Sequence, residues 1–202
     1  PMMISSSILL LLNWSDTMML GYYLEESQVG IYNICMKIVM ITSLVLFSIN
    51  SIVAPKISFA YNNNNITDFK NIIKSSTKYI FYLTLPIILS ITLFPDFLLS
   101  LFSIKNNLAN QTLFILLSGQ VIAALSGSVG IILQMTGYQK SFQYILFCAL
   151  ISNIIINFIL IPKYEMLGAA IASTFSIMFW NLCSVFFVYK YHNVLTFYSY
   201  DK

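Results

Sequence analysis

Six stretches of predominantly apolar residues, each about 20 residues or longer, divide this 202-residue chain. A helix of about that length crosses the roughly 30 Å of hydrocarbon in a bilayer, and a helix satisfies its own backbone hydrogen bonds there. The expected spans are 2–24, 29–54, 79–102, 111–135, 142–161 and 167–189, an all-α bundle of six transmembrane helices. Composition leaves no soluble alternative: 58% of residues are hydrophobic, 8% are charged and the mean hydropathy is +0.82. That is more apolar surface than a soluble domain of this size can bury.

Breakers and charges set the expected boundaries. Pro55 and Pro162 mark the ends of the second and fifth spans, and Pro86 and Pro95 bend the third. Residues 56–78 form an expected cytoplasmic loop whose Phe69, Ile72 and Ile73 fall on one helical face and Lys70, Lys74 and Lys78 on another. That pattern suits an interfacial amphipathic helix in the headgroup layer. All ten basic residues are lysines. Six spans put Lys56, Lys70, Lys74, Lys78, Lys140, Lys190 and Lys202 on one side and only Lys105 and Lys163 on the other, so both chain ends are expected in the cytoplasm. A net charge of +3 distributed this way points to membrane orientation and not to nucleic acid.

The stretch Asn13–Lys37, NWSDTMMLGYYLEESQVGIYNICMK, places a carboxylate and an ammonium inside two apolar runs. Asp16 lies nine residues before Glu25 and Lys37 nine after Gln28. At 1.5 Å per residue, two antiparallel helices would hold both charges about 13 Å below one membrane surface. A charge near the bilayer centre costs about 3 kcal/mol on insertion scales and normally faces protein or a water-filled cavity. Two readings stay open. Asp16 and Lys37 pair and lock two helices, or they face a solvated path in which Lys37 meets an anionic substrate group and Asp16 tunes that site or carries a coupling ion.

Other polar residues share helical faces. Asn13 joins Asp16 on the first span and Asn33 joins Lys37, Ser48 and Ser51 on the second. Gln120 sits among the glycines of the fourth span, Asn153 and Asn157 are spaced i, i+4 on the fifth, and Ser173 and Asn181 lie two turns apart on the sixth. These residues either line a cavity or hydrogen-bond neighbouring helices. Gly168, Ala172 and Ser176 recur every four residues, a stripe suited to close helix contact. Cys35, Cys148 and Cys183 all fall within apolar runs and read as small hydrophobes, not as a disulfide frame or a metal site. The single histidine, His192, lies near the C-terminus, so no catalytic set is in view and an enzyme such as a membrane-embedded polysaccharide polymerase or acyltransferase is disfavoured. A structural membrane subunit is a further reading. The chain opens on Pro1, without a basic leader or a cleavage site, as expected of a fragment or of the second half of a longer protein.

The phrases NWSDTMMLGYYLEESQVGIYN, INSIVAPKIS, LLSGQVIAALSGSVGIILQMTGYQK and IPKYEMLGAAIAS, in this order and spacing, resemble the C-terminal half of bacterial polysaccharide flippases. These belong to the multidrug/oligosaccharidyl-lipid/polysaccharide exporter superfamily, which also holds the multidrug and toxin extrusion transporters and the lipid II flippase. The resemblance implies a MATE-like fold of two six-helix lobes around a central cavity, of which this chain would be the second. It also implies alternating access, with lipid-linked oligosaccharide, an O-antigen or other polysaccharide precursor, as substrate in the bacterial inner membrane. Bilayer lipids and a missing N-terminal lobe are then the expected partners, with no cofactor beyond a sodium ion or proton as coupling ion. A cation-coupled multidrug antiporter is the alternative. Ser128 stands where such proteins often carry a proline. On this reading Lys37, Asn13 and Asn33 offer a cation and neutral hydrogen bonders to an anionic diphosphate, and the balance of Asp16 against Lys37 favours the flippase over an antiporter for cationic drugs.

Overall fold

A computed structural model describes residues 2–197, and it is entirely helical there apart from turns. Seven helices follow one another: α1 (Met2–Tyr23), α2 (Glu26–Asn62), α3 (Ile66–Leu93), α4 (Pro95–Ser100), α5 (Asn107–Ser126), α6 (Val129–Met135) and α7 (Gln139–His192). Five of them, α1, α2, α3, α5 and α7, are long and apolar enough to cross a membrane. At 54 residues α7 would measure about 80 Å if straight, far beyond one crossing. It folds back on itself instead. The backbone breaks at Glu165 (φ 52°, ψ −131°), and the two arms pack antiparallel. Ser141 meets Tyr191, the Ser176 hydroxyl donates to the Ala149 carbonyl at 3.4 Å, and Gly168 lies against the Leu160 backbone. The five candidate helices thus supply six segments of crossing length among the described residues.

Two prolines do not end helices where their local chemistry predicts. α2 runs through Pro55 to Asn62, because Val53, Ile57 and Ala60 continue its buried face into the core with Phe69 and Ile73. Packing of that face outweighs the roughly 3 kcal/mol that an interior proline costs. The fifth crossing likewise passes Pro162 and breaks at Glu165. The expected loop at 56–78 is therefore a correction: residues 56–62 belong to α2, only residues 63–65 turn, and α3 begins at Ile66. The apolar face of that segment is real, but protein covers it. Phe69 and Ile73 are buried against α2, α6 and the ends of α7, and the segment is the start of α3 and not a separate helix.

Two further breaks fit the sequence better. α3 passes Pro86, stops at Phe94, and α4 restarts on Pro95 at its first turn. The fourth crossing is divided at Gly127, whose φ of +71° caps α5, and α6 resumes after Ser128. A Cβ on Gly127 would come within 2.3 Å of the Thr77 hydroxyl, so both conformation and space demand glycine there. The bend is present although Ser128 replaces the proline.

The core has two centres, one at each end of the bundle. Leu20, Tyr32, Leu99, Ala109, Ile161 and Met166 join the α1–α2 turn, α4 and the α7 elbow. Ile8, Ile57, Phe69, Leu133, Phe142 and Val188 join the N-terminal half of α1, the end of α2, the start of α3, α6 and both ends of α7. At this second end His192 sits among Tyr61, Phe69 and Tyr138, with ring centroids 5.3–5.5 Å away, and its Nε2 lies 3.0 Å from the Thr136 hydroxyl. Lys56, Lys70, Lys74, Lys140 and Lys190 gather there, while Lys105 and Lys163 mark the opposite end. Lys202 lies outside the described residues.

Candidate functional site

Asp16 is fully buried where α1 meets α2 and both arms of α7. Four side chains converge on its carboxylate. The Tyr32 hydroxyl donates to Oδ2 at 3.0 Å and the Ser173 hydroxyl donates to the same oxygen. The amides of Asn153 and Asn157 donate to Oδ1 at 3.1 and 2.7 Å. A carboxylate has about four lone-pair sites, so these donors occupy all of them. The ring extends outward: Ser15 donates to Asn153 Oδ1 at 2.8 Å, and Asn157 Nδ2 lies 3.0 Å from the same oxygen. Asn157 Oδ1 is buried and has no hydrogen-bond partner among the described residues.

Local sequence explains how this assembly forms. Asn153 and Asn157, one helical turn apart, point the same way from the first arm of α7, and Ser173 comes from the second arm where the Gly168, Ala172, Ser176 face brings the arms close. All three of those small residues are buried, and a Cβ on Gly168 would stand 2.5 Å from the Leu160 carbonyl oxygen. Close approach of the arms is thus what carries Ser173 to Asp16.

Lys37 is elsewhere. Thr17 donates to Asn33 Oδ1 at 2.9 Å, which sets the register of α1 against α2 and puts Asn13 level with Lys37. Tyr32 and Lys37 are five residues apart, about 140° around the helix, so a face that turns Tyr32 inward turns Lys37 outward. Lys37 is exposed, and among the described residues no carboxylate lies within ion-pair distance of it. Asn13 is also exposed and among the described residues bonds its own helix, to the Leu9 carbonyl at 2.9 Å. The carboxylate and the ammonium are therefore at comparable depth but on different faces.

The remaining polar residues divide between the two roles. Asn153 and Asn157 belong to the Asp16 cluster. Gln120 is half-buried and accepts from Ser43 at 3.4 Å, tying α5 to α2. Asn181 is buried and donates to the Ile177 carbonyl of its own helix at 2.8 Å, a local contact. Tyr32 is the site residue that sequence reading passed over, because its ring belongs to an apolar run and only the fold shows where the hydroxyl goes. Among the described residues no group of three or more His, Cys, Asp or Glu side chains could hold a metal ion.

The MatE family model matches residues 1–159. Among curated proteins, the Haloferax volcanii protein named probable low-salt glycan biosynthesis flippase Agl15 is 25% identical over 165 residues. The Staphylococcus aureus capsular polysaccharide biosynthesis protein CapF is 32% identical over 167. These alignments take in 81% and 80% of this chain but 35% and 41% of those proteins, so the chain spans about two-fifths of their length. A solved outward-facing multidrug resistance MATE family transporter of the MOP superfamily superposes with a TM-score of 0.78 at 19% identity, over 96% of this chain and 44% of that one. At that identity the likeness establishes the fold.

Proposed function

Since this chain belongs to the MatE family, we propose that it forms the second lobe of an alternating-access flippase for lipid-linked oligosaccharide in the bacterial inner membrane. The relatives named as glycan or capsule biosynthesis proteins support that substrate class. One structural observation carries it: the accessible charge at mid-span is a cation, Lys37, level with the amide of Asn13, whereas the carboxylate of Asp16 is enclosed. An anionic diphosphate headgroup needs a cation and neutral donors along its path, while the lipid tail stays in the bilayer. A cavity for cationic drugs would instead present the carboxylate, which weighs against the antiporter reading. Asn33 sits beside this path, held by Thr17, and a first lobe opposite would close the cavity. The reaction is movement without bond making, so no catalytic residue is assigned. The lysine-rich end of the bundle, which also holds both ends of the described chain, faces the cytoplasm in this reading.

The Asp16 cluster is the place for a coupling cation, sodium or proton. Four hydrogen bonds now fill its carboxylate, so a sodium ion would enter by turning the Asn153 and Asn157 amides to present their oxygens, of which Asn157 Oδ1 is already unpartnered among the described residues, and a proton would sit on a carboxylate oxygen in place of one donor. Asp16, Asn153, Asn157 and Ser173 would hold the ion, which supplies the charge compensation that the buried carboxylate otherwise lacks. The direct test of function is reconstitution of the natural gene product into vesicles carrying a labelled lipid-linked oligosaccharide in one leaflet. Appearance of the label in the other leaflet supports the flippase. Efflux of a cationic dye without movement of the lipid establishes the antiporter instead, and neither activity leaves a structural subunit.

A further inference from the structure

The first four turns of α3 carry Lys70, Lys74 and Lys78 at i, i+4 and i+8, all exposed, on the side of the helix away from buried Phe69, Ile73, Ser76 and Ile80. Successive lysines are about 6 Å apart along the axis and drift only about 40° around it, so their ammonium groups form one ladder. The ladder ends where exposed Tyr79, Tyr82 and Leu83 begin, and the Lys78 ammonium lies 6.0 Å from the centre of the Tyr82 ring. Aromatic residues at that level mark the boundary between headgroups and acyl chains. Beside the ladder, α2 and α3 enclose a cleft of about 510 Å³ lined by Lys56, Phe59, Asn63, Asp68, Asn71 and Ile72, among others. Asp68 is held by the Asn65 amide at 2.6 Å and leaves its carboxylate as an acceptor.

We propose that this outer face of α3, with the adjoining α2–α3 cleft, binds an anionic phospholipid whose headgroup bears hydroxyls, as phosphatidylglycerol does. The lysine ladder takes the phosphate, and the amides of Asn63 and Asn71 and the carboxylate of Asp68 take headgroup hydroxyls. The acyl chains lie along Tyr79, Tyr82 and Leu83. Charge complementarity selects the occupant: three cations line one strip of α3, Lys56 stands in the adjoining cleft, and each lysine near an anionic lipid surface favours it by about fivefold in affinity. The site is peripheral to the Asp16 cluster and to Lys37 and does not depend on the transport assignment.

The test uses the natural gene product in bilayer discs of phosphatidylcholine containing increasing phosphatidylglycerol, with retained lipid identified by native mass spectrometry and unfolding temperature measured in parallel. Wild-type protein is expected to retain phosphatidylglycerol selectively and to be stabilised by it. Lys78→Gln should lower that preference about fivefold, the triple variant Lys70→Gln, Lys74→Gln, Lys78→Gln should reduce it to the zwitterionic level, and the corresponding arginine triple should keep it. Should the glutamine triple fail to insert, the single variant decides. Undiminished preference in Lys78→Gln overturns the proposal. So does equal stabilisation by inorganic phosphate, which would mark an ion site, or loss of transport with lipid preference intact, which would put the ladder on the substrate route.

Discussion

Removing the Asp16 carboxylate should unsettle the bundle without any involvement of Lys37. Asp16→Ala deletes the acceptor of four donors. Two can re-pair in place, because Asn157 Nδ2 is already 3.0 Å from Asn153 Oδ1 and Tyr32 Oη is 3.5 Å from Ser173 Oγ. Two buried donors then remain without partners, at about 1–3 kcal/mol each in water-soluble proteins and nearer 0.6 kcal/mol between membrane helices. A loss of about 2 kcal/mol is expected. Lys37→Ala alters an exposed side chain with no ion-pair partner among the described residues and should stay within about 0.5 kcal/mol. The double variant should therefore show the sum of the two, with coupling below about 0.5 kcal/mol. Fluorescence-detected unfolding of all four proteins in mild detergent measures it. If both single variants are destabilised and the double recovers, Asp16 and Lys37 are an ion pair and the assignment of separate faces is wrong.

Other consequences follow from packing and topology. Ala172→Leu forces bulk between the α7 arms and should lower stability by about 1–3 kcal/mol, whereas Val185→Leu on a half-buried position should be milder; equal loss of folded yield at both would remove the case for a specific contact face. Gly127→Ala combines a positive φ with a Cβ 2.3 Å from Thr77 and should cost on the order of 2 kcal/mol or more in a thermal-unfolding assay, an effect that Thr77→Ala should partly relieve. Reporter fusions after Glu26 and after Asn64 should report opposite sides of the membrane, since α2 separates them; the same side for both would contradict six crossings.

The crossings were legible because apolar length is written directly in the sequence, while their ends were less so. A proline states a local cost, but Ile57 and Ala60 beyond Pro55 gain burial from α3 and α6, partners that no local pattern reveals. The same limit applies to α3, where periodicity identified the face of Phe69 and Ile73 correctly but could not say that protein, and not headgroups, covers it. The site shows the complementary limit. Counting residues from the turn placed Asp16 and Lys37 at comparable depth, yet depth says nothing of azimuth, and the rotation from Tyr32 to Lys37 separates them. Asn153 and Asn157 could be grouped by spacing alone. Their meeting with Asp16, Tyr32 and Ser173 spans more than 130 residues of chain and depends on the α7 elbow at Glu165. The family match covers the first three of the four quoted phrases and confirms the resemblance there, and the shared fold extends over 96% of the chain.

Transport by Lys37 variants tests the proposed function most directly. In the natural gene product, Lys37→Ala should insert and fold normally yet abolish transfer of labelled lipid-linked oligosaccharide between leaflets, because the path loses the cation that its anionic headgroup requires. Lys37→Arg should retain part of the activity, since the charge survives although its geometry changes. Transfer at the wild-type rate in a correctly inserted Lys37→Ala protein would contradict the account.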